Sequence, residues 1–233
     1  YFYLVPQYFL KFSIVMQVIF ALIALSVSYF SFKIYKISRQ REIKLFGISF
    51  LLISFSYILW AMINSAVAYP TLIKVAQLLT ENISRLGGAG ILTHFILLIS
   101  GLVTLAYTTL KTKSGKVYYL ILGLGIMVII APLFVVLVLF EPINSSFLQT
   151  LIISSRLLSV FLLTFIIYNY FEEYSWKKNK KTLLVGIAFS LLLMSNADFI
   201  FSQTYYQAYI IGHILEFIAY LFILLSLVLT IRK

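Results

Sequence analysis

Seven stretches of this chain are each long and apolar enough to cross a bilayer: 12–33, 45–66, 87–110, 117–140, 149–170, 182–203 and 207–231. About 20 residues of helix span a hydrocarbon core. Charge, Gly or Pro, or an Asn/Ser cluster bounds each stretch, and none alternates as a membrane β-strand does. Lipid offers the backbone no partner, so such spans close their hydrogen bonds internally. The expected fold is an all-α integral membrane protein, a seven-transmembrane-helix bundle with 1–233 as a single membrane domain. Composition removes the alternatives: the chain is 62% hydrophobic and 11% charged, against about 45–50% and about 25% for a soluble domain. A soluble enzyme, a nucleic-acid module and a disordered chain are excluded on that ground. The absence of cysteine excludes disulfides, thiolate nucleophiles and Cys-held zinc or iron–sulfur centres. The first apolar run is long enough to span rather than to act as a cleavable leader.

The net charge of +11 resembles a nucleic-acid footprint until it is placed on the spans. Fourteen of the eighteen Lys/Arg residues then fall on one side: Lys33, Lys36, Arg39, Arg41, Lys44, Lys111, Lys113, Lys116, Lys177, Lys178, Lys180, Lys181, Arg232 and Lys233. Lys11, Lys74 and Arg85 fall on the other, and Arg156 lies within a span. The basic side of a multi-pass protein is cytoplasmic. That puts the N-terminus outside and the C-terminus inside a cell membrane, with anionic lipids as partners at the basic face and no nucleic acid. Asn82-Ile83-Ser84 and Asn144-Ser145-Ser146 fit the glycosylation pattern on the expected outer side. The loop 67–86 lies there too, with Leu72, Val75, Leu79 and Ile83 at helical spacing. It reads as a short amphipathic helix, either in the interface or packed on the bundle.

A shift of 139 residues lays spans 1–2 over spans 5–6. Nine of 28 positions then match across 29–56 and 168–195, including Tyr35/Tyr174, Gly47/Gly186, Phe50/Phe189 and Ser56/Ser195. A shift of 119 lays span 3 over span 7 and places His94 on His213, the two histidines of the chain. The expected plan is parallel: repeat A at 12–110, a connector helix at 117–140, and repeat B at 149–231. Two parallel units imply a pseudo-twofold axis along the membrane normal. This plan resembles that of the SWEET and PQ-loop transporters, and microbial rhodopsins share the span count. Pro6-Gln7, however, has no counterpart before span 5, and 207–231 contains no lysine for retinal.

Five ionisable residues fall inside spans: His94, Arg156, Asp198, His213 and Glu216. Gln17, Asn64 and Asn196 share their slab in the outer half. Charge at that depth costs several kcal/mol and points to function by default. These eight residues are expected to line a polar cavity reached from outside, between the repeats, that binds a small ligand, a lipid head group or a cofactor. Arg156 is expected to pair with Asp198 or Glu216. Tyr209, His213, Glu216 and Tyr220 share one helical face, and Gly87, Gly90, His94 and Gly101 form a stripe, so the two histidines are expected to face each other. The structural alternative is that these groups only hydrogen-bond neighbouring helices.

The expected function is that of a sensor or accessory subunit binding its ligand in this cavity and working with protein partners in the membrane; the alternatives are a SWEET-like small-solute transporter and a metal or haem redox protein or zinc hydrolase. In the last of these, His94 and His213 are axial ligands of haem b with Arg156 near a propionate. Otherwise His94, His213 and Glu216, with Asp198 nearby, hold a divalent metal such as zinc. The seven-span topology is similar to that of zinc amidases of the alkaline ceramidase type. No catalytic triad, P-loop or Gly-rich nucleotide motif is present, and no catalytic residue is assigned.

Overall fold

A computed structural model of the chain describes residues 7–68, 80–109, 145–201 and 206–231. They form six helices: α1 (Gln7–Ser38), α2 (Arg41–Ala68), α3 (Thr80–Thr109), α4 (Ser145–Lys177), α5 (Lys180–Phe201) and α6 (Tyr206–Ile231). Each is long and apolar enough to cross a membrane, so the protein is a multi-pass helical membrane protein in a lipid bilayer. The expected span at 117–140, the acceptor Asn144 and the segment 69–79 lie outside the described residues. So do Lys111, Lys113, Lys116, Arg232 and Lys233.

The helices run past the apolar stretches that mark them. α3 begins at Thr80, so Asn82-Ile83-Ser84 and Arg85, expected in a separate short helix of the outer loop, continue the helix of the third span. α1 and α4 end at Ser38 and Lys177, one turn or more beyond their apolar runs. Polar residues there keep helical backbone bonds while their heads reach toward water. Hydropathy marks where lipid begins, not where the hydrogen-bond ladder stops.

The packing order is a ring: α1–α2, α2–α3, α3–α4, α4–α5, α5–α6 and α6–α1. Among the described residues each helix backbone lies close only to those of its two ring neighbours, while side chains of α2 and α6 meet across the interior at Tyr57 and Glu216. α2 and α5 therefore stand opposite each other. Phe20, Val27, Phe50, Leu105, Ile166, Phe189 and Ile223 fill the interior. The exposed face is equally apolar: Val15, Val18, Leu22, Leu25 and Tyr29 form a helical stripe along α1. A soluble bundle would carry charge there, whereas lipid needs none.

Hydroxyls in lipid must find partners, and two of them clamp α1 to α2. Ser28 Oγ donates to Gly47 O and Ser54 Oγ to Ala21 O, both at 2.8 Å. Between α2 and α3 the backbones come so close that a Cβ at Gly101 would lie 2.9 Å from Ser49 O. The turns joining α1 to α2 and α4 to α5 lie at one end, which gathers Lys36, Arg39, Arg41, Lys44, Lys177, Lys178, Lys180 and Lys181. This is the basic end.

Candidate functional site

Toward the opposite end the interior is polar and closed. Gln17, Asn64, His94, Asn196, His213 and Glu216 are all buried, from 2% exposed at His94 to 7% at Asn196. One network links α1, α2 and α6. Asn64 Nδ2 donates to Gln17 Oε1 at 3.0 Å, and Gln17 Nε2 donates to Ser13 Oγ at 2.8 Å. Tyr209 OH also donates to Ser13 Oγ, at 2.6 Å. With both lone pairs of Ser13 engaged, its own proton points to His213 Nε2, 3.5 Å away. His213 Nδ1 lies 2.9 Å from Tyr209 O. A carbonyl only accepts, so Nδ1 carries the proton and Nε2 is the acceptor.

His94 is held separately, between α2 and α3. Its Nδ1 lies 2.9 Å from Ser56 O, which assigns the same tautomer, and Ser56 Oγ donates to His94 O at 3.0 Å. Trp60 stacks on the imidazole at 4.6 Å and 22°, and Phe95 tilts against it at 5.0 Å. Around His213 the rings are instead Phe199, edge-on at 4.9 Å, with Tyr209, Phe12 and Phe20.

Arg156 on α4 reaches between these two aromatic cages. Its Nη1 donates to Asn196 Oδ1 at 3.1 Å. Its guanidinium lies 4.8 Å from the Phe199 ring of one cage and 6.0 Å from the Phe95 ring of the other. Cation–π contact of this kind gains strength where water is excluded. Glu216 on α6 accepts a hydrogen bond from Tyr57 OH, which in turn accepts one from Tyr220 OH at 3.2 Å. Arg156, Asn196, Tyr57, Glu216 and Tyr220 bring their polar atoms to one cavity of about 20 Å³, room for about a single water.

These contacts revise three expectations. The ion pair of Arg156 with Asp198 or Glu216 is absent: among the described residues the salt bridge present is Lys177–Glu173, at 2.5 Å. An amide oxygen and two ring faces hold the guanidinium instead, and Asp198 is half-buried on α5 outside these networks. His94, His213 and Glu216 do not form a metal-ligand group. No three His, Asp or Glu side chains converge among the described residues, because each histidine is bound to its own helix pair. The roomy cavity also lies elsewhere, at the basic end, with a volume of about 830 Å³. It reaches Phe46 and Val185, one helical turn from Phe50 and Phe189, which line the small cavity. Those two buried rings stand between the cavities.

Ser13, Ser56, Tyr57, Trp60 and Phe199 belong to the site although their residue types gave no signal. The 139-residue shift holds one. It carries Phe199, a ring on His213, back onto Trp60, the ring stacked on His94, and Asn196, the partner of Arg156, back onto Tyr57. No protein-family model, curated protein or solved structure matches the chain.

Proposed function

We propose that the chain is a small-solute carrier of two parallel three-helix units, with a connecting span at 117–140 and the basic end in the cytoplasm. One observation carries this reading. The α1–α2 residues lining the 830 Å³ cavity are Ser31, Ile34, Gln40, Glu42, Ile43 and Phe46. The residues 139 positions later are Tyr170, Glu173, Asn179, Lys181, Thr182 and Val185, and all six line it too. A cavity walled by matching positions of two units lies on the axis relating them, where carriers of repeated architecture place their sites. The polar layer of Arg156, Tyr57 and Glu216 continues that axis beyond Phe50 and Phe189. On this reading the rings are the gate, and the closed network around His213 seals the outer end.

Counterflow in proteoliposomes tests the proposal. Vesicles preloaded with a solute from a panel of amino acids, sugars and organic acids accumulate its labelled form only if the protein exchanges it. Protein-dependent accumulation is expected for one class, and none for any class rejects the carrier. A sensor working through membrane partners is the second reading, favoured by the burial of His94, His213 and Glu216 in fixed contacts. It predicts saturable ligand binding without counterflow.

A further inference from the structure

Resting on that cavity, we propose that its ligand is a zwitterion of the α-amino-acid class with an apolar side chain. The basic end is crowded with Lys and Arg, yet among the described residues the wall of the cavity opening there carries as many acids as bases. Its charged wall residues are Glu42, Glu173, Lys177 and Lys181. Glu173 and Lys177 neutralise each other as an ion pair. That leaves Glu42 on α2 and Lys181 on α5, on opposite members of the ring and at positions 139 apart. Neither has an ion-pair partner among the described residues, and Lys181 Nζ reaches only the neutral Thr230 Oγ1, at 3.3 Å.

Lys181 stands in the first turn of α5, where the helix dipole disfavours a cation; Glu42 stands in the first turn of α2, where an anion is favoured. Helix stability accounts for Glu42 and not for Lys181. A ligand carboxylate on Lys181 and a ligand ammonium on Glu42 would satisfy both charges. Ile34, Ile43 and Phe46 make the wall around Glu42 apolar, which suits a hydrocarbon side chain. An anion such as a phosphate meets the carboxylate of Glu42 on this wall. The volume lies within the usual range for small-molecule sites.

The test is equilibrium binding of labelled leucine to the protein in nanodiscs. Competitors are 4-methylpentanoate, which lacks the amine, and 3-methylbutylamine, which lacks the carboxylate. Leucine is expected to compete at about tenfold lower concentration than either, the worth of one charged contact. Glu42→Gln should erase the preference over the carboxylate analogue and Lys181→Gln that over the amine. The double exchange Glu42→Lys with Lys181→Glu should restore both. Absence of saturable leucine binding, or equal competition by all three compounds, overturns the assignment. Counterflow of another solute without leucine binding rejects the ligand class and keeps the carrier. Leucine binding without counterflow does the reverse.

Discussion

Arg39 and Lys178, 139 positions apart, end their helices in the same way. Both take left-handed backbone angles, with φ of 56° and 50°, and each amide bonds the carbonyl four residues back, Tyr35 O and Tyr174 O, at 2.8 Å. The conformation is one that glycine adopts freely and a β-carbon resists. Two non-glycine residues thus hold a helix stop that glycine usually provides, and basic side chains at that end serve orientation as well.

Replacing either residue by glycine should therefore stabilise the fold. Arg39→Gly and Lys178→Gly are each expected to gain about 1 kcal/mol, the lower end of the left-handed penalty. Raised thermal midpoints in detergent, similar for the two variants, would agree. A lowered midpoint for either would show that its charged side chain contributes more than the backbone strain costs.

Much of this fold is legible in the chain because lipid permits few solutions. Six of the seven apolar stretches coincide with helices, and the shared Tyr, Gly and Phe at 29–56 and 168–195 foreshadow two like turns. The interior partnerships were not legible. Charge alone predicts an acid for Arg156, but Asn196 and the ring of Phe199 lie nearer on the neighbouring helix. Spacing sets which helical face His94 and His213 occupy; it does not say that His94 bonds Ser56 of α2 and that His213 lies beside Ser13 of α1. Such choices depend on ring order and rotation about each helix axis, which hydropathy does not encode.

Two helical glycines, Gly101 and Gly186, should respond with opposite sign to the space around them. A Cβ at Gly101 meets Ser49 O at 2.9 Å and Ile53 Cγ1 at 2.7 Å, so α2 and α3 must part. Gly101→Ala is expected to cost about 1–3 kcal/mol, as overpacking does. At Gly186 the nearest atoms, on Tyr170 and Phe171, lie 3.6 Å away, an ordinary contact. Gly186→Ala should gain about 0.5–1 kcal/mol from helix entropy. Thermal midpoints of the two variants, moving in opposite directions, are the check.

Ser56 and Ser195, 139 positions apart, do different work. Ser56 Oγ donates to His94 O and lies 2.7 Å from its Nδ1, whereas the buried Ser195 Oγ has no hydrogen-bond partner among the described residues. Ser56→Ala is expected to destabilise by about 1 kcal/mol through a lost hydrogen bond, while Ser195→Ala removes an unsatisfied group and should be neutral or stabilising. Equal losses in the two variants would reject this asymmetry.

Tyr57 and Glu216 form the link most exposed to a double-mutant test. Tyr57→Phe leaves the buried carboxyl without its phenolic donor and leaves Tyr220 OH without its acceptor. A buried polar group stripped of its partner costs about 1–3 kcal/mol. Glu216→Gln keeps an oxygen that can accept from Tyr57, so its loss should be the smaller. Combined, the two changes should be non-additive by about 0.5–3 kcal/mol, as residues in one network are. Reversible unfolding in mixed micelles of the wild type, both single variants and the double variant gives the coupling directly. Additivity within about 0.5 kcal/mol would mean that Glu216 is held by its surroundings, Arg156 and the small cavity, and not by the tyrosine pair.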